Sequence, residues 1–517
     1  MLIPTRWLGR LFRLLLFGIL LALLIALAWT ALQIALIADG SAALAETTEA
    51  RRSAYRATAT AIHTEDKEAS LEYNPGIVLM QDSVAEETPA AADAPAAAFA
   101  ATAAPDDFHL PKLLIPRDPE EGKRLSGMLA PRRVAPVKRE HRLVNIMFLG
   151  SDEELTEDNF IRTDTIIVAS LNVETGTVSM MSLPRDLFVY IPHGKMGRLN
   201  TAFGIGENLS WDPGRGFGLL RQTLFYNLGI NVHYYARVNF TGFEKIIDRL
   251  GGVDIAVDCA YRDLYPTRDG EYRLRTLPVG LHTFDGFDAL WFARTRKYTD
   301  DFDRGRRQQL LLRAMWRKAR SEGIIATIPR LWSEMTDVVD TDLPFDLLLR
   351  LLPHLVNLDL ADVENITFKR NYHTTEWIAP SGSEVQLPNA DEVAALMQDF
   401  YTPPSPYQAS ITGPSIGVYN ASGQDNWDIV ASERLRWDGY NAVALGTPDD
   451  GADLESSQLV DHAATEKGSL TPGILRALNM TDKQAMQDAK ADRDFDYVVS
   501  IGRDYESCTY GVLPLDG

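Results

Sequence analysis

The sequence predicts an α/β (α+β) protein: a mixed central sheet flanked by helices, a small second α/β domain behind it, and a single transmembrane helix ahead of both. Three observations carry this expectation. From residue 141 on, short apolar runs alternate with longer stretches of helical periodicity, an order that covers sheet faces with helices. The stretch Thr402-Pro403-Pro404-Ser405-Pro406 interrupts that alternation. Near the N-terminus, the 25 residues from Leu14 to Ala38 carry no charge.

That uncharged run amounts to about 37 Å of helix at ~1.5 Å per residue, enough to cross a hydrocarbon core of ~30 Å. Arg6, Arg10 and Arg13 precede it, and the first charges after it are Asp39 and Glu46. The positive-inside rule therefore predicts a cytoplasmic tail over 1–13, a membrane span over 14–38 and an extracellular bulk, a single-pass protein of the cell membrane. The competing reading is a signal peptide cleaved near Ala43-Leu44-Ala45, although signal h-regions run to roughly 7 to 15 residues. Residues 39–140 read as a disordered Ala/Pro-rich linker, since twelve of the twenty residues from Ala85 to Ala104 are Ala and Pro89 and Pro95 break the run.

Order is expected from His141, opening a domain over 141–400. Strands are predicted over Leu143–Leu149, Thr165–Leu171 and Val178–Leu183, the last two joined by a hairpin at Glu174-Thr175-Gly176. A helix follows over Gly218–Leu228, stopped by Gly229, then a strand over Tyr234–Phe240. The next helix, Thr241–Leu250, shows a capping box at Thr241 and Glu244 with Gly251 beyond its end. Val253–Val257 is a strand, and Asp285–Ala293 and Arg306–Arg320 are helices. After a linker over 401–410, the domain at 411–517 should contain strand Ile416–Tyr419, helix Trp427–Trp437, strand Asn441–Leu445, helix Pro472–Leu478 capped by Thr471, and strand Tyr497–Ile501.

Composition narrows the function. The 517 residues hold 51 Lys plus Arg against 71 Asp plus Glu, a net charge of −20, which repels phosphate backbones and argues against nucleic-acid binding. The two cysteines, Cys259 and Cys508, show no metal-ligand spacing, and neither a zinc site nor a disulfide framework is expected. One segment opposes the global charge: Arg294 to Arg320 holds ten Lys or Arg and three Asp, a local +7. Guanidinium groups this dense call for an anion between them, and their planar fork suits phosphate oxygens. Arg313, Arg317 and Arg320 fit the solvated flank of an amphipathic helix; Arg294, Arg296 and Arg304 lie where a helix gives way to a loop. Asp152 and Asp164, at strand ends, could hold a hard cation such as Mg2+, although an Asp after a strand is ordinarily a turn residue. Arg185, in Ser182-Leu183-Pro184-Arg185-Asp186, is delivered at a fixed angle by the proline, its commoner fate being a surface ion pair with Asp186.

Gly150-Ser151-Asp152, Arg162-Thr163-Asp164-Thr165, Ser182 to Asp186, Arg198-Leu199-Asn200-Thr201-Ala202-Phe203, Gly251-Gly252-Val253-Asp254, Asp285 to Arg296, and Asp301 to Gln309 resemble, in order, the motifs of the LytR-CpsA-Psr family. The resemblance runs from about Arg142 to Phe400. The segment Val418-Tyr419-Asn420-Ala421-Ser422-Gly423 is similar to the start of the LytR C-terminal domain. The sequence departs from the family's usual residues at Phe284, Trp291, Ala293 and Glu153-Glu154 without losing a charged site residue. The resemblance implies a membrane-anchored phosphotransferase on the outer face of a bacterial membrane, moving a glycopolymer from a polyprenyl diphosphate carrier to the muramic acid C6 hydroxyl of peptidoglycan. It implies Asp152 and Asp164 as Mg2+ ligands and Arg185, Arg294, Arg296, Arg304 and Gln308 as binders of the diphosphate.

Such a transfer is mostly positioning and electrostatics, with Arg185 at the phosphates and a carboxylate taking the late-leaving proton of the sugar hydroxyl. Asp164 is the candidate base and Asp152 mainly a metal ligand. Ile146, Phe148, Ile166 and Val168 are candidates to line a pocket for the lipid, with core packing the alternative for each. A non-catalytic module that binds polyprenyl diphosphates or wall glycans, and a hydrolase of the same diphosphate, are the rival functions.

Overall fold

The computed structural model describes residues 133–137 and, between 142 and 508, all but short stretches, the longest of which is 153–159. The predicted tail, membrane span and most of the linker before residue 141 lie outside the described residues, as do Glu153 and Glu154. Among the described residues no helix is long and apolar enough to cross a membrane. Residues 133–137 lie against the packed domain: Val134 N donates to Tyr226 O (3.0 Å) and Val137 N to Gly229 O (2.9 Å).

The expected mixed sheet has six strands, in the order Asp340–Thr341, Tyr234–Val238, Leu143–Ser151, Thr163–Asn172, Thr177–Ser182, Val363–Thr367. Its centre is antiparallel and the joins of Leu143–Ser151 to Tyr234–Val238 and of Thr177–Ser182 to Val363–Thr367 are parallel. Period-2 alternation sends Leu143, Met147, Leu149, Ile166, Val168 and Met181 to one face, under helices Arg215–Leu228 and Ala390–Phe400. Val144, Ile167, Leu171, Val178 and Met180 go to the other, under helix Phe345–Asn357 and part of the long helix Asp301–Ser321. This alternation overturns the single pocket expected from Ile146, Phe148, Ile166 and Val168. Leu149 is registered with Ile166 and Met147 with Val168, so Ile146 and Phe148 look out from the opposite face.

A third core joins helices Phe240–Arg249 and Gly286–Arg294 to the strand pair Val253–Val257 and Gly280–Phe284. The long helix lies between this core and the sheet, with Leu311 and Ala314 turned one way and Leu312 and Trp316 the other. Helix ends follow local chemistry. Gly229 and Gly251 take the left-handed conformation beyond two of them (φ 71° and 73°), as expected. The predicted capping box at Thr241 is not used, because Asn239 caps the helix by accepting from Gly242 N at 2.9 Å. Thr471 is likewise the first helical residue rather than the cap, and its hydroxyl donates to Asp461 Oδ2 (3.1 Å). The helix expected from Arg306 begins at Asp301, capped by Asp300, which places Arg304 in its first turn.

The second domain is a five-stranded sheet in the order Asn441–Ala444, Ser415–Asn420, Tyr497–Ile501, Gln458–Asp461, Ala485–Gln487, with helix Trp427–Trp437 against it. The Pro-rich stretch before it is tied down: Asn172 Nδ2 donates to Pro403 O (2.9 Å) and Ser405 Oγ to Glu364 Oε1 (2.6 Å). Contrary to the sequence expectation, Cys259 and Cys508 form a disulfide, their Cα atoms 4.9 Å apart across 249 positions, joining the two domains. Arg313 is also corrected. It is buried rather than solvated, donates to Val363 O (3.3 Å), and burial pushes its guanidinium down to about 10. Arg317 pairs with Glu433 of the second domain at 3.0 Å.

The most heavily charged part of the interior is one turn of the long helix. Arg306 and Arg307 are fully buried, and Asp303 accepts from both, at 3.1 and 3.0 Å. Arg306 also reaches Asp258 with two parallel bonds (3.1 and 3.0 Å) and Tyr261 Oη (2.7 Å). Burial raises the Asp303 pKa, but the two arginines outweigh it and hold the carboxyl below its usual range. A depressed folded pKa contributes stability that is fully present above the unfolded value of ~3.9 and lost as pH falls through the lower folded value. Asp303→Asn is therefore expected to cost on the order of 3–5 kcal/mol at neutral pH by leaving two buried guanidiniums undercompensated, with the difference shrinking below about pH 4. Denaturant midpoints at pH 7 and pH 3 check both halves.

Candidate active site

Asp164 is the second residue of strand Thr163–Asn172, and Asp152 follows strand Leu143–Ser151 across a bulge. The loop between them is closed at its base, where Asp152 N donates to Arg162 O (3.3 Å) and Arg162 N to Asp152 Oδ1 (3.2 Å). Burial first, and Asp164 next, hold Asp152 above the ordinary carboxylate range. Pro184 turns the chain after strand Thr177–Ser182 and brings Arg185 across to Asp164: Nη1 lies 2.5 Å from Oδ2. Asn200 Nδ2 donates to the other oxygen, Oδ1, at 2.9 Å. Asn200 Oδ1 is buried and has no partner among the described residues. The carboxylates of Asp152 and Asp164 are oxygen donors of the kind a hard divalent cation takes. Among the described residues no three His, Cys, Asp or Glu side chains converge, so any such ion would draw its remaining ligands from substrate and water.

The arginines arrive from three directions. Arg294 ends helix Gly286–Arg294, and its guanidinium lies 4.4 Å from the centre of the Phe240 ring. Arg296 sits in the following turn, where Asp263 Oδ2 accepts from both Thr295 Oγ1 (2.6 Å) and Arg296 N (2.8 Å). Arg304 comes from the first turn of the long helix; it is 7% exposed, and its Nε has no partner among the described residues. Burial, offset by Asp301 and reinforced by Arg185, pushes Arg304 down to about 10. Gln308, one turn on, donates to Ala293 O at 3.2 Å and ties the two helices together. The helix reaches the sheet here because Gly305 has no side chain; a Cβ on it would lie 3.0 Å from Ser182 Cβ.

All seven residues expected at the site are thus brought to one region. Asp301 lies among the guanidiniums, 3.0 Å from Arg185, 3.4 Å from Arg304 and 3.8 Å from Arg296. The anion that dense arginines require is therefore supplied in part by the chain itself. The expected Arg185–Asp186 pair is also present, at 3.4 Å. Asn200, Asp263 and Asp301 were missed as site residues. Asn200 and Asp301 lie inside recognisable motifs, whereas nothing in the sequence marks Asp263.

Two cavities meet at these arginines. One, of about 470 Å³, is lined by Phe240, Leu264, Phe287, Leu290 and Trp291, and also by Asp164, Arg294, Arg296, Arg304 and Gln308. The other is an open groove of about 1110 Å³, lined by Arg185, Arg294, Arg296, Arg370, Glu376 and Trp377 among others. A cationic lip between an apolar chamber and a polar groove fits an amphiphile whose charged centre is anionic.

The fold and the site define a mixed α/β protein with an arginine-lined anion site. The LytR_cpsA_psr family profile matches residues 122–399, and the chain belongs to that family. The polyisoprenyl-teichoic acid–peptidoglycan teichoic acid transferase TagU of Oceanobacillus iheyensis is 33% identical over 251 residues, which are 48% of this chain and 70% of that protein. The regulatory protein MsrR of Staphylococcus aureus is 33% identical over 213 residues, 40% of this chain and 59% of that protein, so this chain spans less than two thirds of it. The crystal structure of Bacillus subtilis TagV is 24% identical, covers 50% of this chain and 96% of its own, and gives a TM-score of 0.41.

Asp263→Ala leaves the Thr295 hydroxyl and the Arg296 amide without their acceptor, a change of roughly 1–3 kcal/mol in local stability. Faster hydrogen exchange at the Arg296 amide, with the sheet amides unchanged, is the expected result.

Proposed function

We propose that this chain is a membrane-anchored phosphotransferase that attaches a glycopolymer, carried on a polyprenyl diphosphate, to peptidoglycan outside the cell. The observation that carries the proposal is that Arg294 and Arg296 line both the apolar cavity and the open groove, with Arg304 on the cavity side of them and Arg185 on the groove side. Among the described residues the buried Nε of Arg304 has no partner, which suits it to donate to a phosphate oxygen. The lipid would enter the cavity, the diphosphate would lie along the arginines, and the glycan would extend into the groove. Its likeness to teichoic acid transferases, TagU among them, supports this class of reaction.

In the proposed reaction the acceptor hydroxyl oxygen attacks the phosphorus that bears the glycopolymer. The bridging P–O bond to the second phosphate breaks, polyprenyl monophosphate leaves, and a phosphodiester joins glycopolymer to wall. The hydroxyl proton passes to Asp164 Oδ2, which becomes available as Arg185 turns from it to phosphate. Arg294 and Arg304 hold the non-bridging oxygens, and their partial burial strengthens that attraction. Mg2+ held by Asp152 and Asp164 would supply further charge neutralisation at the diphosphate.

Arg294→Ala and Arg296→Ala are each expected to weaken binding of a short isoprenyl diphosphate about ten- to a hundred-fold, at roughly 1.5–3 kcal/mol per charge-assisted contact. Arg320→Ala, at the far end of the long helix that carries Arg304 and paired with Asp359, should leave it unchanged in titration calorimetry. Asp164→Asn is expected to abolish transfer of labelled glycan from polyprenyl diphosphate to peptidoglycan fragments, as EDTA should for the wild type. Unimpaired transfer by this variant sinks the catalytic assignment. A variant that binds the lipid better, from a wild type that transfers nothing, identifies a binding module.

A further inference from the structure

The strand pair Tyr261–Pro266 and Tyr272–Leu277 projects beside the apolar cavity, and its two faces differ. The inner face is anchored. Tyr265 Oη donates to Asp288 Oδ1 (2.7 Å), Arg275 pairs with the same carboxylate (2.6 Å), and the Arg275 guanidinium lies 5.1 Å from the centre of the Trp291 ring. The outer face carries Leu264, registered with Leu274, and Pro266, registered with Tyr272. Leu264 is 50% exposed, Leu274 46% and Tyr272 69%. Among the described residues no other strand pair exposes three large apolar side chains.

This face is continuous with the cavity, because Leu264, Pro266 and Tyr272 also line its wall. Arg273 is registered with Tyr265, on the other side of the pleat, and pairs with Glu271 at 3.2 Å. Apolar side chains with an amphipathic tyrosine at their edge form a combination that sits at a lipid–water interface. A two-stranded ribbon gains little stability by itself, and an apolar outer face on it would be a liability if water were its only neighbour.

We infer that the hairpin Tyr261–Leu277 docks on the lipid bilayer surface and inserts Leu264, Tyr272 and Leu274 among the lipids, opening the cavity mouth directly into the apolar layer. The inference rests on the proposed lipid-diphosphate reading and extends it to the route of entry. A long prenyl chain crossing water exposes every methylene, whereas a continuous apolar path from bilayer to cavity exposes none.

The test uses the full chain in vesicles of phosphatidylcholine and phosphatidylglycerol, with an environment-sensitive fluorophore on a cysteine introduced as Leu274→Cys or, as a control, Met486→Cys in the second domain. Met486 is 54% exposed. The expected result is a blue shift at position 274 and loss of its emission when brominated lipid is present, with neither change at 486. Identical behaviour at both positions overturns the inference. So does a position-274 label that is dry without lipid and crosslinks to a second copy, which makes the face an interface between chains. A second arm uses Leu274→Asp, outside the cavity wall. It should lose transfer from a long-chain donor embedded in vesicles and keep its affinity for a soluble short isoprenyl diphosphate; full transfer from the embedded donor overturns the inference. The fluorescence result does not depend on transfer, so failure of the phosphotransferase reading and failure of bilayer docking are separable.

Discussion

The Asp303 carboxylate, closed between Arg306 and Arg307, is the interaction on which the rest of the architecture turns. Three charges with almost no contact with water are tolerable only if every donor and acceptor is satisfied, so each forces its neighbours into place. Arg307 gives its remaining donors to Phe292 O, Thr295 O and the Thr299 hydroxyl. Those carbonyls belong to the end of helix Gly286–Arg294 and the turn after it, which carry Arg294 and Arg296. Arg306 spends its own on Asp258 and Tyr261, at the start of the hairpin beside the cavity. Asp258 is in turn 3.7 Å from Arg434 of the second domain, and the Arg306 guanidinium is 6.0 Å from the Trp437 ring centre. One buried carboxylate thereby links the position of the site arginines to the seating of the second domain.

The guanidiniums of the site are held by carboxylates of the chain itself. Arg185 touches three carboxylates, those of Asp164, Asp186 and Asp301, and Asp301 in turn faces Arg304 and Arg296. Like charges that would repel are interleaved with opposite ones, and the geometry is held before any substrate is present. Under the proposed function an arriving diphosphate exchanges one set of charge-assisted contacts for another of the same type, and little reorganisation separates the empty site from the filled one. The carboxylates left behind by the arginines are then the groups available to a metal ion or a proton.

Much of this was legible in the sequence, and the exceptions have physical causes. Strands such as Tyr497–Ile501 and helices such as Trp427–Trp437 match expectation because period and punctuation agree locally. The caps at Thr241 and Thr471 were misassigned because Asn239 competes for the first and the hydroxyl of the second is drawn to Asp461. Arg313 read as solvated because charge is normally a surface property, and one helix wedged between two cores breaks that rule. The pocket residues were grouped by alternation within each strand, whereas the face they share depends on the register between strands, which no single strand encodes. The disulfide was invisible for a related reason, since 249 residues separate its halves and only the docking of the second domain brings them together.

The site itself was legible because its residues stand at the ends of elements. Asp152, Asp164, Arg185, Arg294 and Arg304 each lie within three residues of a strand terminus, or within a turn of a helix terminus, where a side chain can leave the packed layer without breaking it. Asp263 escapes this logic. It lines both cavities, and it accepts from Thr295 and Arg296, fixing the turn that carries Arg296. Positioning groups of this kind carry no signature of composition or spacing, because their partners are hydrogen-bond donors common to many turns. They become visible only when the groups that do carry a signature have been placed, and an arginine held by its own main-chain amide points back to the carboxylate that holds it.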